Sequence, residues 1–321
     1  MPLLIGLDEA GYGPNLGPLL IATTIWEVPE SPAGYDLYSD FAGLVTRPGE
    51  QPAGPLVIGD SKQVYASGKG LASLEFPVWH ALALTGDSAL PVHLPANWEE
   101  LLRSVHRGPP IDPVREPWYA SGLPLPRNAA TAPLPALSTW RQVCRDQKIR
   151  LRMLAADVVS PQRFNQLNRE TGSKGRSLTQ LSLQLLAGCL KSLGCEHEQI
   201  LILADKHGGR NRYQEFLPIV VDDAFITCLE ESAASSRYRA GPYEFRFQMK
   251  AERHLPTALA SLLAKYLREL AMHQFNDWWQ AELPGLKPTA GYPVDASRFR
   301  REIQSRQAEL GIADEVLWRD K

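Results

Sequence analysis

The sequence predicts an α/β fold in which helices flank a mixed sheet. Segments rich in β-forming residues alternate along the chain with segments of helical periodicity, the pattern of an α/β sandwich. The chain has 321 residues, 44% of them hydrophobic, which is enough to bury a sizeable core. Proline is unevenly placed, because ten of the 26 prolines fall in residues 91–135, where they leave little room for regular helix or central strand.

The first half of the chain begins with two predicted strands at residues 3–7 and 19–26. Both runs are rich in apolar β-formers, and the glycines between them permit a tight backbone path. A helix is predicted at about 70–84. A short helix at 98–105 interrupts the proline-rich stretch.

The second half is more regular. The apolar patterns predict a strand at 149–159, helices at about 161–168 and 178–193, a strand at 200–204, strands near 224–229 and 243–249, a helix at 256–275 and a turn-and-helix unit at 291–310. Ser160 and Pro161 form a helix start signal, and Gly194 is a stop signal. The continuous apolar run at 200–204 is typical of a buried parallel strand.

The proline distribution suggests how the chain is organised. We expect residues 1–275 to form the core, with insertions at about 29–55 and 88–148. Residues 276–321 are expected to form a C-terminal helical segment. No internal repeat supports a second copy of any unit.

The charge balance, 34 Lys and Arg against 36 Asp and Glu, gives −2, so a polyanionic partner would need a local basic surface. No apolar run approaches the roughly 18 residues of a membrane span, and no signal peptide is evident. We therefore expect a cytoplasmic protein without membrane contact. The four cysteines match neither a metal pair nor a disulfide framework, so they are expected to be reduced and mostly buried.

Acidic residues follow three predicted strands. Asp8 and Glu9 come after the first, Asp205 ends the apolar run at 200–204, and Glu252 precedes the helix at 256–275. Carboxylates at the ends of buried strands are costly unless a positive group compensates them, and a divalent metal is a common compensation. If the four converge, they could hold two Mg²⁺ or Mn²⁺ ions about 3.5–4 Å apart, the arrangement used to hydrolyse phosphodiesters. The alternative is that they are ordinary helix caps and turn residues.

Five short motifs in the sequence resemble those of a known family. They are DEAGYGP at 8–14, DSK at 60–62, AD at 204–205, KAE at 250–252 and GYP at 291–293. In order and approximate position they resemble the motifs of type 2 ribonucleases H, the ribonuclease HII family. A lone DEAG would be a weak signal, whereas five motifs in order are a strong one.

The resemblance implies a ribonuclease H-like fold with a mixed five-stranded sheet flanked by helices. It implies that Asp8, Glu9, Asp205 and Glu252 bind two Mg²⁺ or Mn²⁺ ions and cleave RNA in an RNA–DNA hybrid or at an embedded ribonucleotide. The substrate-binding residues would be Gly11, Tyr12, Gly13, Lys62, Lys265, Arg268 and Tyr292. The expected partner is a hybrid or ribonucleotide-containing duplex, and the expected state is a monomer.

The departures from the family pattern matter as well. Tyr12 stands where the family has a cation that recognises the ribose 2′-hydroxyl. Glu252 replaces an aspartate, and the chain between about 208 and 242 is longer than in the family. The alternatives are therefore a non-catalytic nucleic-acid-binding protein on the same scaffold and a nuclease of different specificity, for example one acting on DNA.

A basic segment follows the third carboxylate. Lys206, His207, Arg210 and Arg212 lie beside two glycines. They could contact phosphate or sit next to the metals, or they could belong to a solvated loop that caps the next helix.

Overall fold

One mixed sheet organises the fold. The computed structural model describes residues 1–65, 70–86, 93–128, 134–194 and 199–320. The strands are β1 (Leu3–Ala10), β2 (Leu19–Glu27), β3 (Val45–Thr46), β4 (Leu56–Val57), β5 (Arg150–Val159), β6 (Ile200–Ala204), β7 (Thr227–Glu231), β8 (Ser235–Ala240) and β9 (Tyr243–Gln248). Seven of them form the main sheet in the order β5-β2-β1-β6-β9-β8-β7, and β3 pairs with β4 separately.

Helices cover both faces of this sheet. They are α1 (Leu37–Asp40), α2 (Ser61–Val64), α3 (Ala72–Thr85), α4 (Trp98–Val105), α5 (Leu137–Asp146), α6 (Pro161–Thr171), α7 (Lys174–Leu193), α8 (Pro218–Val221), α9 (Leu255–Glu282), α10 (Pro293–Glu309) and α11 (Asp314–Leu317). The start and stop signals act as predicted. The Ser160 hydroxyl accepts the Arg163 backbone N–H at the start of α6, and Gly194 ends α7 in the left-handed conformation.

The two faces of β1 pack against different helices. Leu4 belongs to the cluster that includes α9, whereas Leu3, Ile5 and Leu7 belong to the cluster that includes α7. The side-chain alternation of a strand produces this division. A helix on each face makes β1 the buried centre of the molecule.

Three parallel neighbours at the centre of the sheet end on the same edge. β1 pairs in parallel with β6, which pairs in parallel with β9. Leu7 is opposite Ala204, and Ala204 is opposite Phe247. Residues that follow these three partners are therefore brought together, whatever their separation in the sequence.

The α/β class and the mixed sheet are confirmed, but the sheet has seven strands instead of the five expected. β7 and β8 lie within residues 208–242 and extend the sheet as an antiparallel hairpin beside β9. β7 corresponds to the strand predicted near 224–229, whereas β8 was not predicted. The pattern of β8 was easy to miss because small and polar residues dominate it. Ser236, Tyr238 and Ala240 are nevertheless its buried face.

Other elements differ in extent from the prediction. α5 lies within the stretch that was predicted to be an insertion with one short helix, and α9 continues to Glu282 instead of ending near 275. The division of the chain at 275–276 stays a prediction. Cys144 and Cys189 are buried free thiols and Cys228 is an exposed one, while Cys195 lies outside the described residues. None of the helices in the described ranges is long and apolar enough to cross a membrane.

Candidate active site

The four acidic residues singled out from the sequence lie at one edge of the sheet. Asp8 and Glu9 are near the end of β1, and Asp205 directly follows β6. Glu252 lies in the short turn between β9 and α9. Because β1, β6 and β9 are parallel neighbours, their ends place these carboxylates beside one another.

Electrostatics show how near the four groups are. Burial raises the pKa of Asp8 well above its usual range, and the charges of Glu9 and Glu252 add to that shift. Burial together with the charges of Asp205 and Glu252 raises the pKa of Glu9 to about 7. The pKa values of Asp205 and Glu252 are also raised, first by burial. A bound divalent cation would relieve the repulsion between like charges that disfavour each other's ionisation.

Polar neighbours hold the acids in place. The Ser261 side chain hydrogen bonds to Asp8, and its hydroxyl also lies 3.1 Å from that of Ser61. Backbone groups of Lys250 and Ala251 bond to Asp205. The Asp205 Oδ1 atom, however, is buried with no hydrogen-bond partner among the described residues, a costly state for a carboxylate oxygen.

These residues fit a divalent cation in their chemistry. Carboxylate oxygens are the ligands that Mg²⁺ and Mn²⁺ prefer, and the unpartnered Asp205 Oδ1 is an available donor. Within the described ranges, no three His, Cys, Asp or Glu side chains stand close enough to form a ligand set as they are. The carboxylates therefore interact electrostatically without forming a ready-made ligand set. Binding of an ion would require their oxygens to move closer together.

The raised pKa of Glu9 predicts a pH dependence of stability without metal. An acid whose pKa rises on folding, here from 4.5 to about 7, stabilises the fold fully below the lower value and loses that contribution as the pH rises through the higher one. In EDTA we expect the free energy of unfolding to fall by roughly 1–3 kcal/mol from pH 4.5 to 7.5.

Urea unfolding across this pH range measures the effect. Glu9→Gln should flatten the profile, whereas the exposed control Glu99→Gln should leave it unchanged. A Glu9→Gln profile parallel to wild type would show that Glu9 does not titrate in this way.

The loop after β1 lies against α9. Gly11 has φ +88°, and a Cβ there would lie 2.4 Å from the Arg268 Nε atom and 2.8 Å from the Pro18 carbonyl oxygen. The loop is also joined to the GYP motif, because the Asn15 N–H donates to the Gly291 carbonyl at 2.7 Å. Only glycine at position 11 allows this approach.

Tyr12, Gly13 and Tyr292 come together around this loop. A Cβ on Gly13 would lie 3.9 Å from the Tyr292 ring, and the Tyr292 side chain is exposed. The Tyr12 hydroxyl would lie 3.1 Å from a Cβ on Gly208. The charge of Glu9 contributes to raising the pKa of Tyr12, after burial. Tyr12 therefore lies within the electrostatic reach of Glu9, and Tyr292 borders the loop at Gly13.

The three predicted cations differ in their surroundings. Lys62 is exposed, and its charge lowers the pKa of Glu9, Asp205 and Glu252. Lys265 pairs with Glu269 at 2.5 Å. Arg268 is only 2% exposed and donates to the Ala290 carbonyl at 3.1 Å. Lys62 thus interacts electrostatically with the acids. Arg268 instead packs under the loop after β1 and supports it.

The basic segment after Asp205 separates into two kinds of residue. His207 is buried with a pKa lowered to about 3 by burial, and Lys206 donates to Asn211 at 2.7 Å, so both serve the local structure. Arg210 and Arg212, with Lys174, line an open cavity of about 530 Å³ that also borders Tyr12. Arg210 and Arg212 are therefore the residues of this segment that could contact a phosphate.

Sequence reasoning assigned no individual role to several residues of this region. Asp60 caps α2 by accepting the Lys62 N–H at 2.9 Å, and its charge reaches Glu252. Ser261 is another, since its side chain hydrogen bonds to Asp8. Arg319 lies behind the loop, where its backbone N–H donates to the Asn15 carbonyl at 2.9 Å. A serine or aspartate next to a motif is a visible signal, but nothing in the sequence links residue 319 to residue 15.

Comparison with known proteins gives a limited result. No family model matches the chain, and no curated protein matches it either. Among solved structures, a ribonuclease H2 from Pyrococcus horikoshii OT3 is similar with a TM-score of 0.46 and 13% identity, covering 98% of this chain and 92% of that one. A complex of PCNA with ribonuclease HII from Archaeoglobus fulgidus gives 0.40 and 13%, covering 99% and 93%.

A ribonuclease H3 from Aquifex aeolicus gives a TM-score of 0.39 and 13% identity, covering 98% of this chain and 70% of that one. At these values the likeness carries no argument about function.

Proposed function

We propose that this chain is a divalent-metal-dependent endonuclease with a ribonuclease H-like fold, which hydrolyses RNA in RNA–DNA hybrids or at embedded ribonucleotides. One observation carries the proposal. Burial raises the pKa of four carboxylates at adjoining strand ends, neighbouring acids raise the pKa of Asp8, Glu9 and Glu252 further, and Asp205 Oδ1 is buried without a partner among the described residues. The five motifs in family order support the substrate assignment.

Each part of the site would have its own task. Asp8, Glu9, Asp205 and Glu252 would hold two Mg²⁺ or Mn²⁺ ions, which supply an activated water and charge for the leaving oxygen. Lys62, exposed beside the acids, would bind a substrate phosphate. The exposed Tyr292 ring, next to Gly13, would pack against a sugar or base. The backbone amides of the loop at 11–13 would orient the ribose.

Tyr12 is the reason to keep a second specificity in view. A phenol hydroxyl can hydrogen bond to a ribose 2′-hydroxyl, but it lacks the positive charge that the family carries at this position. A nuclease that tolerates DNA at this position, or a binding protein without cleavage, would fit the same scaffold. The retention of four acids in one group favours cleavage.

Two measurements test the proposal. First, millimolar Mn²⁺ should raise the melting temperature, because a ligand that binds only the folded state stabilises it by about 2.7 kcal/mol at 100 times its dissociation constant. Second, the metal-loaded protein should cut labelled RNA–DNA hybrid or single-ribonucleotide duplex and spare plain DNA.

The outcomes separate the rival functions. Stabilisation by Mn²⁺ with cleavage of DNA alone would favour the altered specificity. Tight duplex binding with neither Mn²⁺ stabilisation nor any cleavage would favour the non-catalytic protein.

A further inference from the structure

A second cavity lies behind the loop that follows β1. It has a volume of about 710 Å³ and is bordered by α6, by the start of α10 and by residues 318–320. Asn165 of α6 holds the last of these walls, since its side chain donates to the Trp318 carbonyl at 2.7 Å and accepts the Asp320 N–H at 2.8 Å. These two hydrogen bonds fix residues 318–320 against α6.

Arg319 lines this cavity and has unused hydrogen-bonding capacity. The residue is 3% exposed, its Nη2 donates to the Pro14 carbonyl, and its guanidinium lies 5.6 Å from the centre of the Phe164 ring. Its Nε and Nη1 are buried without any partner among the described residues. A guanidinium that is taken out of water with two unused donors is costly unless an anion completes it.

Two of the acids that border the cavity are paired with arginines that border it as well. Asp314 pairs with Arg300 at 2.5 Å, and Asp320 pairs with Arg169 at 3.5 Å. The third acid, Glu315, accepts a hydrogen bond from the Gln162 side chain.

Positive charge also comes from outside the lining. Burial and the charge of Arg268 lower the pKa of Arg319 to about 9, and the charge of Arg319 contributes to lowering the pKa of Lys174. The neighbours of Arg319 thus increase the positive potential instead of neutralising it. Arg319 lines the cavity and has no carboxylate partner among the described residues, so an anion entering the cavity would meet this unpaired cation.

The start of α10 adds backbone donors. This helix has 17 residues, and its N-cap residue Tyr292 makes no side-chain cap bond. Its early residues Val294 and Ser297 line the cavity. The free N–H groups and the dipole at a helix start favour an anion, so the helix and Arg319 converge on the same space.

We propose that this cavity binds a phosphate group and, resting on the nuclease function proposed above, that it holds a backbone phosphate of the substrate away from the bond that is cut. The cavity is connected to the active site through a short stretch of backbone. Arg319 contacts Pro14 and Asn15, which lie in the loop that follows Asp8 and Glu9 of β1. A phosphate held here would fix the position of the strand relative to the carboxylates.

The first test uses inorganic phosphate in EDTA, so that the metal site plays no part. Thermal unfolding at constant ionic strength should show stabilisation of the wild type by phosphate. Arg319→Gln should weaken the apparent phosphate affinity at least about tenfold, and Arg319→Lys should restore part of it. The matched control is Arg306→Gln. Arg306 lies on α10 and pairs with Glu282 of α9, so this variant should titrate like wild type.

A second variant guards against a folding defect in Arg319→Gln. Val294 is 89% exposed at the cavity, and Val114, equally exposed, lies elsewhere. Val294→Glu places a negative charge at the helix start, where it is compatible with the helix dipole but repels phosphate. It should lose the phosphate response, while Val114→Glu should keep it. Wild-type titrations for both Arg319→Gln and Val294→Glu would overturn the proposal, even if Arg319→Gln were less stable.

The nucleic-acid assignment needs its own measurement. Binding of an RNA–DNA hybrid, again in EDTA, should weaken with Arg319→Gln, and the slope of log affinity against log salt should fall by about one. A phosphate response that depends on Arg319, with an unchanged salt slope for the duplex, would show a site for free phosphate only and would overturn the nucleic-acid assignment. Cleavage is not measured in either arm, so failure of the nuclease proposal would be seen separately.

Discussion

Replacing Asp8 by asparagine is expected to abolish metal-dependent cleavage while leaving the fold intact. The side chain is buried at the centre of the acidic group, where Glu9 and Glu252 oppose its ionisation. Asparagine is nearly the same size and its carbonyl can still accept the hydrogen bond from Ser261, but it is a much weaker metal ligand. Loss of several kcal/mol of charge stabilisation corresponds to at least about a 10³-fold fall in kcat.

The same change is expected to stabilise the metal-free protein. Removing one of several mutually repelling acids from a buried site should raise the free energy of unfolding by roughly 0.5–2 kcal/mol at neutral pH. Cleavage of labelled hybrid with Mn²⁺ and urea unfolding in EDTA measure the two effects side by side. Asp277→Asn, an exposed change on α9, is the control for both. Wild-type cleavage by Asp8→Asn would end the assignment of this residue as a ligand.

The central strands of the fold were predictable because each is a dense apolar run. β1, β2 and β6 are buried on both faces, and such strands need no help from distant residues to be recognised. β8 was missed because its buried face depends on Tyr238, which packs in a core formed mainly by distant residues of β1, β6 and α7. α5 was hidden by the proline-rich stretch that ends just before it at Pro135.

The site divides in the same way. The four acids could be proposed from the sequence because each is next to a strand or helix signal, and parallel strands bring such positions together. The surroundings of Arg268 could not, because a three-residue spacing with Lys265 indicates only a shared helix face. Burial under Gly11 depends on where the loop from β1 crosses α9. Long-range contacts of this kind decide whether a cation meets solvent or supports a loop.

Replacing Gly6 by alanine is expected to be among the most destabilising single methyl additions in the chain. Gly6 lies in the middle of β1 on the face that packs against α9, and a Cβ there would lie 2.1 Å from the Pro256 carbonyl carbon and 2.2 Å from the Thr257 nitrogen. Both are backbone atoms, so no side-chain rotation can relieve the overlap. The helix start would have to move, and with it the hydrogen bond from the Thr24 hydroxyl to the Pro256 carbonyl at 2.9 Å.

Movement of α9 would also reach the site, because Glu252 lies three residues before this helix. We expect a loss of about 3 kcal/mol or more in the free energy of unfolding and weaker stabilisation by Mn²⁺, both measured by urea unfolding. Gly188→Ala is the matched control: it lies in α7 with nothing within 4 Å of the new methyl, and alanine there should stabilise by roughly 0.5–1 kcal/mol. If Gly6→Ala were as stable as wild type, β1 and α9 could not be in direct backbone contact, and the position of Glu252 beside Asp8 would lose its structural basis.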